Sequence, residues 1–232
     1  MTIKLITFDL DNTLWHTDPV IVRAEQTLWS WIQTQYPHVA EQFTLDSLQA
    51  LKAEVANQQP QLRHKLSQLR LAFLSQLFQR CGYTQKEAEI LAQQGFVEFI
   101  KARNDVELFP EALNMLQILQ QDYQIIALSN GNADLKAIGI DHFFEAHFHA
   151  ENVPHPKPHK DMFIAALQHT GVSVEECIHI GDHPEQDIHA AKRLGIHTIW
   201  ANVLNASWPA SIPPADHEIL HLNQLPALVK RY

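Results

Sequence analysis

The sequence predicts an α/β fold in which helices flank a mostly parallel sheet and an all-helical subdomain is inserted. Three observations lead to this prediction. Apolar runs of strand length alternate with helical periodicity after residue 105, residues 17–104 show helical periodicity only, and polar residues follow the apolar runs. Strands that alternate with helices are typically joined by right-handed crossovers, which make neighbouring strands parallel.

The first strand is predicted over residues 3–8, and the polar segment Asp9-Leu10-Asp11-Asn12-Thr13 follows it at once. An aspartate at the end of a buried strand can act as a nucleophile, a metal ligand or a general acid. The alternative is an ordinary solvated turn, because Asp and Asn favour turns. Two carboxylates two residues apart, followed by small hydrogen-bonding residues, favour phosphoryl chemistry.

The helical segment has apolar residues at every third or fourth position, and a capping box at Thr84 and Glu87 begins one of its helices. We therefore assign residues 1–16 and 105–232 to a core that contains the sheet, and residues 17–104 to the inserted subdomain. Trp15 lies between the acidic pair and this subdomain, which makes it a candidate wall for a flat ring.

Further strands are predicted over residues 124–129, 147–150, 177–180, 197–200 and 217–220. Pro158 is predicted to occupy the first position of a helix, where its missing N–H costs nothing. In open parallel sheets, ligands bind outside the carboxyl ends of the strands. The polar residues that follow the strands should therefore converge at one edge.

The polar residues predicted at this edge are Asp9, Asp11, Ser129, Asn130, Asp182 and Asp187, and Lys157 lies in a loop that can reach them. Mg²⁺ prefers one or two carboxylates together with water and substrate phosphate. A lysine, a hydroxyl and backbone N–H groups can bind phosphate oxygens. One carboxylate can attack phosphorus, and a second carboxylic acid can protonate the leaving alkoxide and then activate water. The groups that a phosphatase requires are therefore present.

These residues resemble, in the same order, the four motifs of the haloacid dehalogenase superfamily. The matching segments are Asp9-x-Asp11-x-Thr13, Ser129, Lys157-Pro158 and Gly181-Asp182-x-x-x-x-Asp187. The resemblance covers essentially the whole chain. It implies a Rossmann-like catalytic core and a helical cap, inserted after the first motif, that closes over the active site.

The resemblance also implies roles for the motif residues. Asp9 is the expected nucleophile and a Mg²⁺ ligand, and Asp11 is the expected general acid and base, whose backbone carbonyl also binds the metal. Ser129 and the N–H of Asn130 are expected to bind the transferring phosphoryl group. Lys157 is expected to steady Asp9 and the charge of the phosphate.

The fourth motif supplies Asp182, which is expected to complete the metal site. Asp187 is interpreted as a supporting, loop-orienting group, and a simple helix N-terminal charge is the alternative. Thr13 is a second supporting residue. His183 stands where the family often has Asp, Ser or Asn, and its role is left open.

Asp11 separates the branches of the superfamily, because haloacid dehalogenases and phosphonate hydrolases lack a carboxylate at its position. It therefore favours hydrolysis of phosphate esters. Residues 7–14, 19–21 and 129–133 further resemble bacterial flavin-pathway phosphatases, which act on 5-amino-6-(5-phospho-D-ribitylamino)uracil and on flavin mononucleotide (FMN). The alternatives are other sugar phosphates or nucleotides, a phosphomutase reaction, and a non-catalytic protein that binds phosphorylated ligands.

The composition limits the partners. The 232 residues carry a net charge of −9, which disfavours non-specific binding to nucleic acid or to an anionic membrane. No signal-peptide pattern precedes the first strand, and Cys81 and Cys177 are expected to be free thiols in a reducing cytoplasm. We expect a cytoplasmic monomer or homodimer that acts on a small phosphorylated metabolite.

The 15 histidines are scattered rather than clustered. His155 and His159 have the one suggestive spacing, but prolines lie between them. The sequence therefore does not predict a transition-metal site.

Overall fold

The computed structural model describes residues 2–232, which divide into two compact units. One unit comprises residues 2–17 and 106–232 and contains the sheet. The other comprises residues 18–105 and consists of helices and their connections.

The sheet has six strands over the described residues, all parallel, in the order β3-β2-β1-β4-β5-β6. The strands are β1 (Leu5–Phe8), β2 (Gln124–Ser129), β3 (Ala146–His149), β4 (Cys177–Gly181), β5 (His197–Ala201) and β6 (His217–Ile219). The predicted α/β fold with a parallel sheet is therefore confirmed.

The α-helices of residues 2–232 are α1 (Thr17–Gln35), α2 (Pro37–Ala40), α3 (Leu45–Gln58), α4 (Leu66–Arg80), α5 (Gln85–Arg103), α6 (Ala112–Leu119), α7 (Leu135–Ile138), α8 (Asp161–Thr170), α9 (Ala190–Lys192) and α10 (Leu225–Val229). A π-helical turn, Pro184–His189, precedes α9. None of the helices within these residues combines the length and the apolar character needed to cross a membrane.

The middle of the sheet explains why the polar residues meet. Phe8 at the end of β1 is level with Ala127 of β2 and with Ile180 of β4. The chain runs from β1 to β2 and β3 on one side and then crosses to β4 on the other side. Strand order therefore reverses beside β1, which is where open α/β sheets place their ligands.

The helical unit has its own apolar core, which includes Leu28, Leu51, Phe78 and Phe99. The predicted capping box at Thr84 begins α5. A cavity of about 260 Å³ lies within this unit, between apolar and aromatic side chains and four polar or charged ones, Glu25, Gln26, Gln49 and Lys52. No candidate catalytic residue lines the cavity, so the cavity is not part of the candidate site.

The chain leaves and re-enters the sheet-containing unit at adjacent points. The N–H of Phe109 donates to the carbonyl oxygen of Leu14 at 2.8 Å, and Trp15 pairs with Leu108 in an antiparallel bridge. These contacts hold the two connections of the inserted segment side by side.

One predicted helix begins later than expected. Pro158 lies in a loop, and α8 starts at Asp161. The side chain of Asn130 bonds both the N–H (3.0 Å) and the carbonyl oxygen (2.7 Å) of Lys157, so the backbone before Pro158 is held in the loop. The first helical residue is Asp161 rather than Pro158, and the prediction of a helix start at Pro158 is therefore wrong.

Candidate active site

Lys157 lies between two carboxylates at the carboxyl edge of the sheet. Its Nζ donates to Asp9 Oδ1 at 2.8 Å and to Asp187 Oδ1 at 2.5 Å. The side chains of Lys157 and Asp187 are each 1% exposed, so both charges depend on their partners rather than on water. Burial opposes the charge of Lys157, but Asp187 and Asp9 outweigh it and hold the pKa of Lys157 above its usual range.

Asp9 directly follows β1, and its N–H donates to the carbonyl oxygen of Ile180 at 2.9 Å. Its Oδ1 accepts from Lys157, and its Oδ2 accepts from Thr13 Oγ1 at 2.9 Å. Burial raises the pKa of Asp9 to about 7, an effect that Lys157 opposes and that Asp187 reinforces. Both oxygens of Asp9 are thus oriented by donors on either side.

Asp11 is oriented by a different pair of donors. Its Oδ1 accepts from Trp15 Nε1 at 3.0 Å and from Thr17 Oγ1 at 2.7 Å. The turn between them passes through Asn12 at φ 62°, a left-handed conformation that asparagine tolerates better than most residues. Trp15 is fully buried, so its interpretation as a wall for a flat ring is wrong, and its indole N–H instead positions Asp11.

Ser129 is the last residue of β2, and Asn130 follows it directly. Ser129 is fully buried, and its Oγ accepts from the N–H of Gly131 at 2.9 Å. The side chain of Asn130 bonds both backbone groups of Lys157 and donates to Gln186 Oε1 at 2.8 Å. Asn130 therefore positions the loop of Lys157. The sequence does not indicate this function, because it depends on where the loop lies in the folded chain.

Asp182 belongs to a cluster of three carboxylates with Asp9 and Asp187. One oxygen from each lies within 4.8 Å of the other two. Burial, together with the charges of Asp9 and Asp187, raises the pKa of Asp182 to about 9. Crowded carboxylate oxygens suit a hard divalent cation, because the cation relieves their mutual repulsion. The backbone carbonyl of Asp182 accepts from Trp200 Nε1 at 2.7 Å, which anchors this loop.

Asp187 has three hydrogen-bond partners in the site. Its Oδ1 accepts from Lys157 and lies 3.2 Å from His179 Nε2, and its Oδ2 accepts from the N–H of His183 at 2.9 Å. Burial opposes its ionisation, but Lys157 and His179 hold the pKa of Asp187 well below its usual range. Asp187 is therefore better suited to hold Lys157 than to bind a cation.

Gly181 is required by the position of Asp187. A Cβ at Gly181 would lie 2.4 Å from Asp187 Cγ, a distance that no side chain can tolerate without displacement. His183, whose role the sequence left open, caps the π-helical turn, since its Nδ1 accepts from the N–H groups of Glu185 and Gln186 at 3.2 Å each.

His179 supports the site by contacting Asp187, and this role was not predicted from the sequence. It is fully buried on β4, level with Thr7 of β1, and its Nδ1 lies 2.9 Å from Thr7 Oγ1. Burial lowers the pKa of His179 although Asp187 opposes the shift. A neutral ring that donates from Nε2 to Asp187 must accept from Thr7 at Nδ1. The only signal in the sequence was a polar residue within an apolar strand.

The model of the haloacid dehalogenase-like hydrolase family matches residues 3–195 of this chain. The chain belongs to the haloacid dehalogenase-like hydrolases. The resemblance that the motifs indicated is therefore confirmed, and so is the assignment of the chain to a hydrolase family.

Two phosphatases and a solved structure resemble the chain over most of its length. The 5-amino-6-(5-phospho-D-ribitylamino)uracil phosphatase YigB of Escherichia coli (strain K12) is 28% identical over 231 residues, which are 98% of this chain and 96% of that protein. A glyceraldehyde 3-phosphate phosphatase of Methanopyrus kandleri is 24% identical over 85% of this chain and 83% of its own. The crystal structure of a 2-haloacid dehalogenase from Pseudomonas syringae pv. Tomato DC3000 superposes with a TM-score of 0.93 at 35% identity, over 99% of both chains.

Proposed function

We propose that the chain is a Mg²⁺-dependent phosphatase that hydrolyses a small phosphorylated metabolite through an aspartyl-phosphate on Asp9. The observation that carries this proposal is the separation of two nearby carboxylates into different environments. Asp9 lies between Lys157 and Thr13, whereas Asp11 is held by donors of its own. Two carboxylates with different partners are suited to different roles, one as nucleophile and the other as acid and base.

In the first step, an oxygen of Asp9 attacks phosphorus and the bond from phosphorus to the ester oxygen breaks. Asp11 gives its proton to the departing alkoxide, so the products are an alcohol and the aspartyl-phosphate. Lys157 steadies the attacking carboxylate, and Thr13 fixes its second oxygen. The two hydrogen bonds to Asp11 keep the acid in place for the transfer.

In the second step, Asp11 takes a proton from water while the water oxygen attacks phosphorus. The bond from phosphorus to Asp9 breaks, inorganic phosphate leaves, and Asp11 is protonated again for the next cycle. Ser129 and the N–H of Asn130 are proposed to bind the oxygens of the phosphoryl group, since donors that are fixed in advance stabilise developing charge.

The carboxylates of Asp9 and Asp182 and the backbone carbonyl of Asp11 are the proposed ligands for Mg²⁺. The raised pKa values of Asp9 and Asp182 support a cation here, because two like charges without one are costly. When bound, the ion would neutralise charge on the phosphoryl oxygens. Asp187 is assigned to Lys157 instead, because its oxygens already accept three hydrogen bonds.

The first substrates to test are 5-amino-6-(5-phospho-D-ribitylamino)uracil and FMN. The relative YigB is a phosphatase of the first of these compounds, and the match covers 98% of this chain and 96% of that protein, which supports this choice. We further propose that residues 18–105 act as a cap that excludes bulk water during the reaction. Other sugar phosphates are second candidates, because a second relative acts on glyceraldehyde 3-phosphate.

Dehalogenation is a second candidate function, because the solved structure that is 35% identical to this chain is described as a 2-haloacid dehalogenase. Halide is a good leaving group and needs no proton, whereas an alkoxide leaving from phosphorus does. Asp11, with its two donors, supplies the proton that an alkoxide leaving group needs and that a halide does not. This contrast favours phosphate esters.

The test is a screen of phosphorylated metabolites and 2-haloacids with the purified chain and Mg²⁺, in which released phosphate and halide are measured separately. We expect phosphate release that a chelator abolishes. Asp9→Asn should be inactive, and the surface control Glu175→Gln should retain full activity. Phosphate release by Asp9→Asn, or halide release alone, would overturn the proposal.

A second measurement separates hydrolysis from the remaining alternatives. Incubation with a sugar monophosphate that yields an isomer without phosphate would indicate a phosphomutase. Ligand binding without turnover of any ester in the screen would indicate a non-catalytic protein.

A further inference from the structure

We propose that His155, His159 and Asp161 form a second metal site, separate from the acidic cluster, that binds a late first-row divalent cation such as zinc. The three side chains come from a seven-residue segment that ends at the start of α8. One donor atom from each lies within 4.8 Å of the other two.

The geometry of the donors is already close to that of a metal site. His155 Nδ1 lies 3.0 Å from Asp161 Oδ2, and His159 Nδ1 lies 2.7 Å from Asp161 Oδ1. The two imidazole rings have their centroids 4.5 Å apart. Both rings therefore direct the same kind of nitrogen towards a single carboxylate.

The donor set selects the class of cation. Zinc binds imidazole nitrogen and carboxylate oxygen at about 2.0–2.2 Å, so ligand atoms in a tetrahedral site lie roughly 3.3–3.6 Å apart. The observed nitrogen–oxygen separations of 3.0 and 2.7 Å are shorter than this value, so binding requires the ligand atoms to move apart by about 0.3–0.9 Å. Two imidazoles favour zinc, copper or nickel over magnesium, and three protein ligands leave one position for water.

The loop is shaped to present these ligands. Prolines alternate with His155, Lys157 and His159, and the side chain of Lys157 is 1% exposed whereas those of His155 and His159 are 65% and 46% exposed. The N–H of His155 also donates to Asp161 Oδ2 at 3.2 Å. The prolines that counted against a site in the sequence therefore belong to a compact loop, which turns its lysine inwards and its histidines outwards.

A bound cation would join the loop of Lys157 to the first turn of α8. Metal–ligand bonds would then restrain the backbone on both sides of the lysine, at positions 155 and 159. We therefore expect slower hydrogen exchange of the amides of residues 155–161 when zinc is bound.

The test is a calorimetric titration of chelator-treated protein with zinc chloride, in buffer that contains excess Mg²⁺. We expect one zinc ion per chain at this site. Loss of a residue that only hydrogen-bonds a metal ligand typically lowers metal affinity by roughly 10–100-fold. The double variant His155→Ala/His159→Ala removes two ligands themselves, so its zinc affinity should fall by at least that factor. The control His64→Ala removes an exposed histidine of the helical unit and should bind zinc like the unaltered chain.

Asp182→Asn separates the two sites, because it alters the acidic cluster and leaves the loop intact. It should retain the zinc affinity, and zinc should still slow exchange in residues 155–161. No zinc binding by the unaltered chain, an unchanged affinity in the folded double variant, or zinc-independent exchange of the loop would each overturn the proposal. None of these readouts depends on phosphatase activity.

Discussion

Lys157 donates a 2.5 Å hydrogen bond to Asp187, and the side chains of both residues are 1% exposed. An ion pair that is removed from water in this way differs from one on the surface. Each partner has lost its hydration, so each depends on the other to remain charged. The pair therefore determines both the stability of this edge of the sheet and the direction in which Lys157 points.

Asp187→Ala is expected to lower the free energy of unfolding by about 3–5 kcal/mol, because it leaves a buried ammonium without its main partner. Urea denaturation measures the loss. Asp122→Ala is the matched control, since Asp122 lies 3.8 Å from Lys230 with both side chains more than half exposed, and it should cost less than about 1 kcal/mol. Equal losses in the two variants would contradict this account of the pair.

Gly181→Ala is expected to lower the free energy of unfolding by more than about 2 kcal/mol and to abolish most activity. The new methyl group would meet Asp187, which three hydrogen bonds hold in place. Gly82→Ala is the control, because its site has open space and only its φ of 91° is unfavourable. That variant should cost about 1 kcal/mol and keep its activity. A fully active Gly181→Ala enzyme would show that Asp187 can move without consequence.

Asn130→Asp is expected to lower kcat/KM by up to roughly 100-fold, because a displacement of a catalytic group by about 1 Å can have an effect of that size. A carboxylate in place of the amide cannot donate to the carbonyl oxygen of Lys157 or to Gln186. Asn152→Asp is the control, because it makes the same substitution at an amide that bonds the backbone of His147 and His149. It should leave kcat/KM unaltered. Steady-state kinetics with the best substrate from the screen decides between the two results.

Trp15→Phe is expected to lower kcat by about tenfold or more, because Asp11 loses the indole donor while the buried ring is largely preserved. Trp208→Phe is the control, since it removes an indole hydrogen bond to Ile212 instead. The loss should be larger for esters with poor leaving groups, which need the acid most. The same loss for good and poor leaving groups would indicate that Trp15 acts through the fold rather than through Asp11.

His147→Leu is expected to reduce the loss of stability in acid. Burial, with a contribution from His149, lowers the pKa of His147 to about 4, and its Nε2 has no hydrogen-bond partner among residues 2–232. Between pH 6.5 and 4 the unfolded chain binds a proton that the folded chain does not, so stability falls as pH falls through this window. Urea denaturation at several pH values should show a shallower fall in the variant. The control His64→Leu replaces an exposed histidine and should leave the dependence of stability on pH unchanged. If His147→Leu shows the same dependence as the unaltered chain, His147 is not a cause of the loss of stability in acid.

The central strands β1, β2 and β4 were predictable because each is a mostly apolar run that a polar residue follows. The observed bounds of β2, Gln124–Ser129, are those predicted from its apolar run and the Ser-Asn-Gly that follows. Parallel pairing then brings Asp9 and Gly181 to the same edge, since Phe8 is level with Ile180. Local pattern and a general rule of sheet topology were sufficient for this part of the site.

The contacts that orient the site were not predictable, because they join residues far apart in the chain. Asn130 meets Lys157 across 27 positions, and His179 meets Thr7 across 172. No local periodicity encodes such contacts. The late start of α8 has the same origin, since the backbone of Lys157 is held from another strand.

The hydrogen bond from Phe109 to Leu14 has a consequence for how such a protein can diverge. A segment whose two ends are neighbours can be lengthened, shortened or replaced without stretching the strands to which it is joined. Residues 18–105 can therefore accumulate substitutions while the strands that position Asp9 and Asp182 keep their places. Proteins that descend from a common ancestor can in this way differ in the inserted segment, and hence in the substrates they bind, while they keep the same chemical groups at the edge of the sheet.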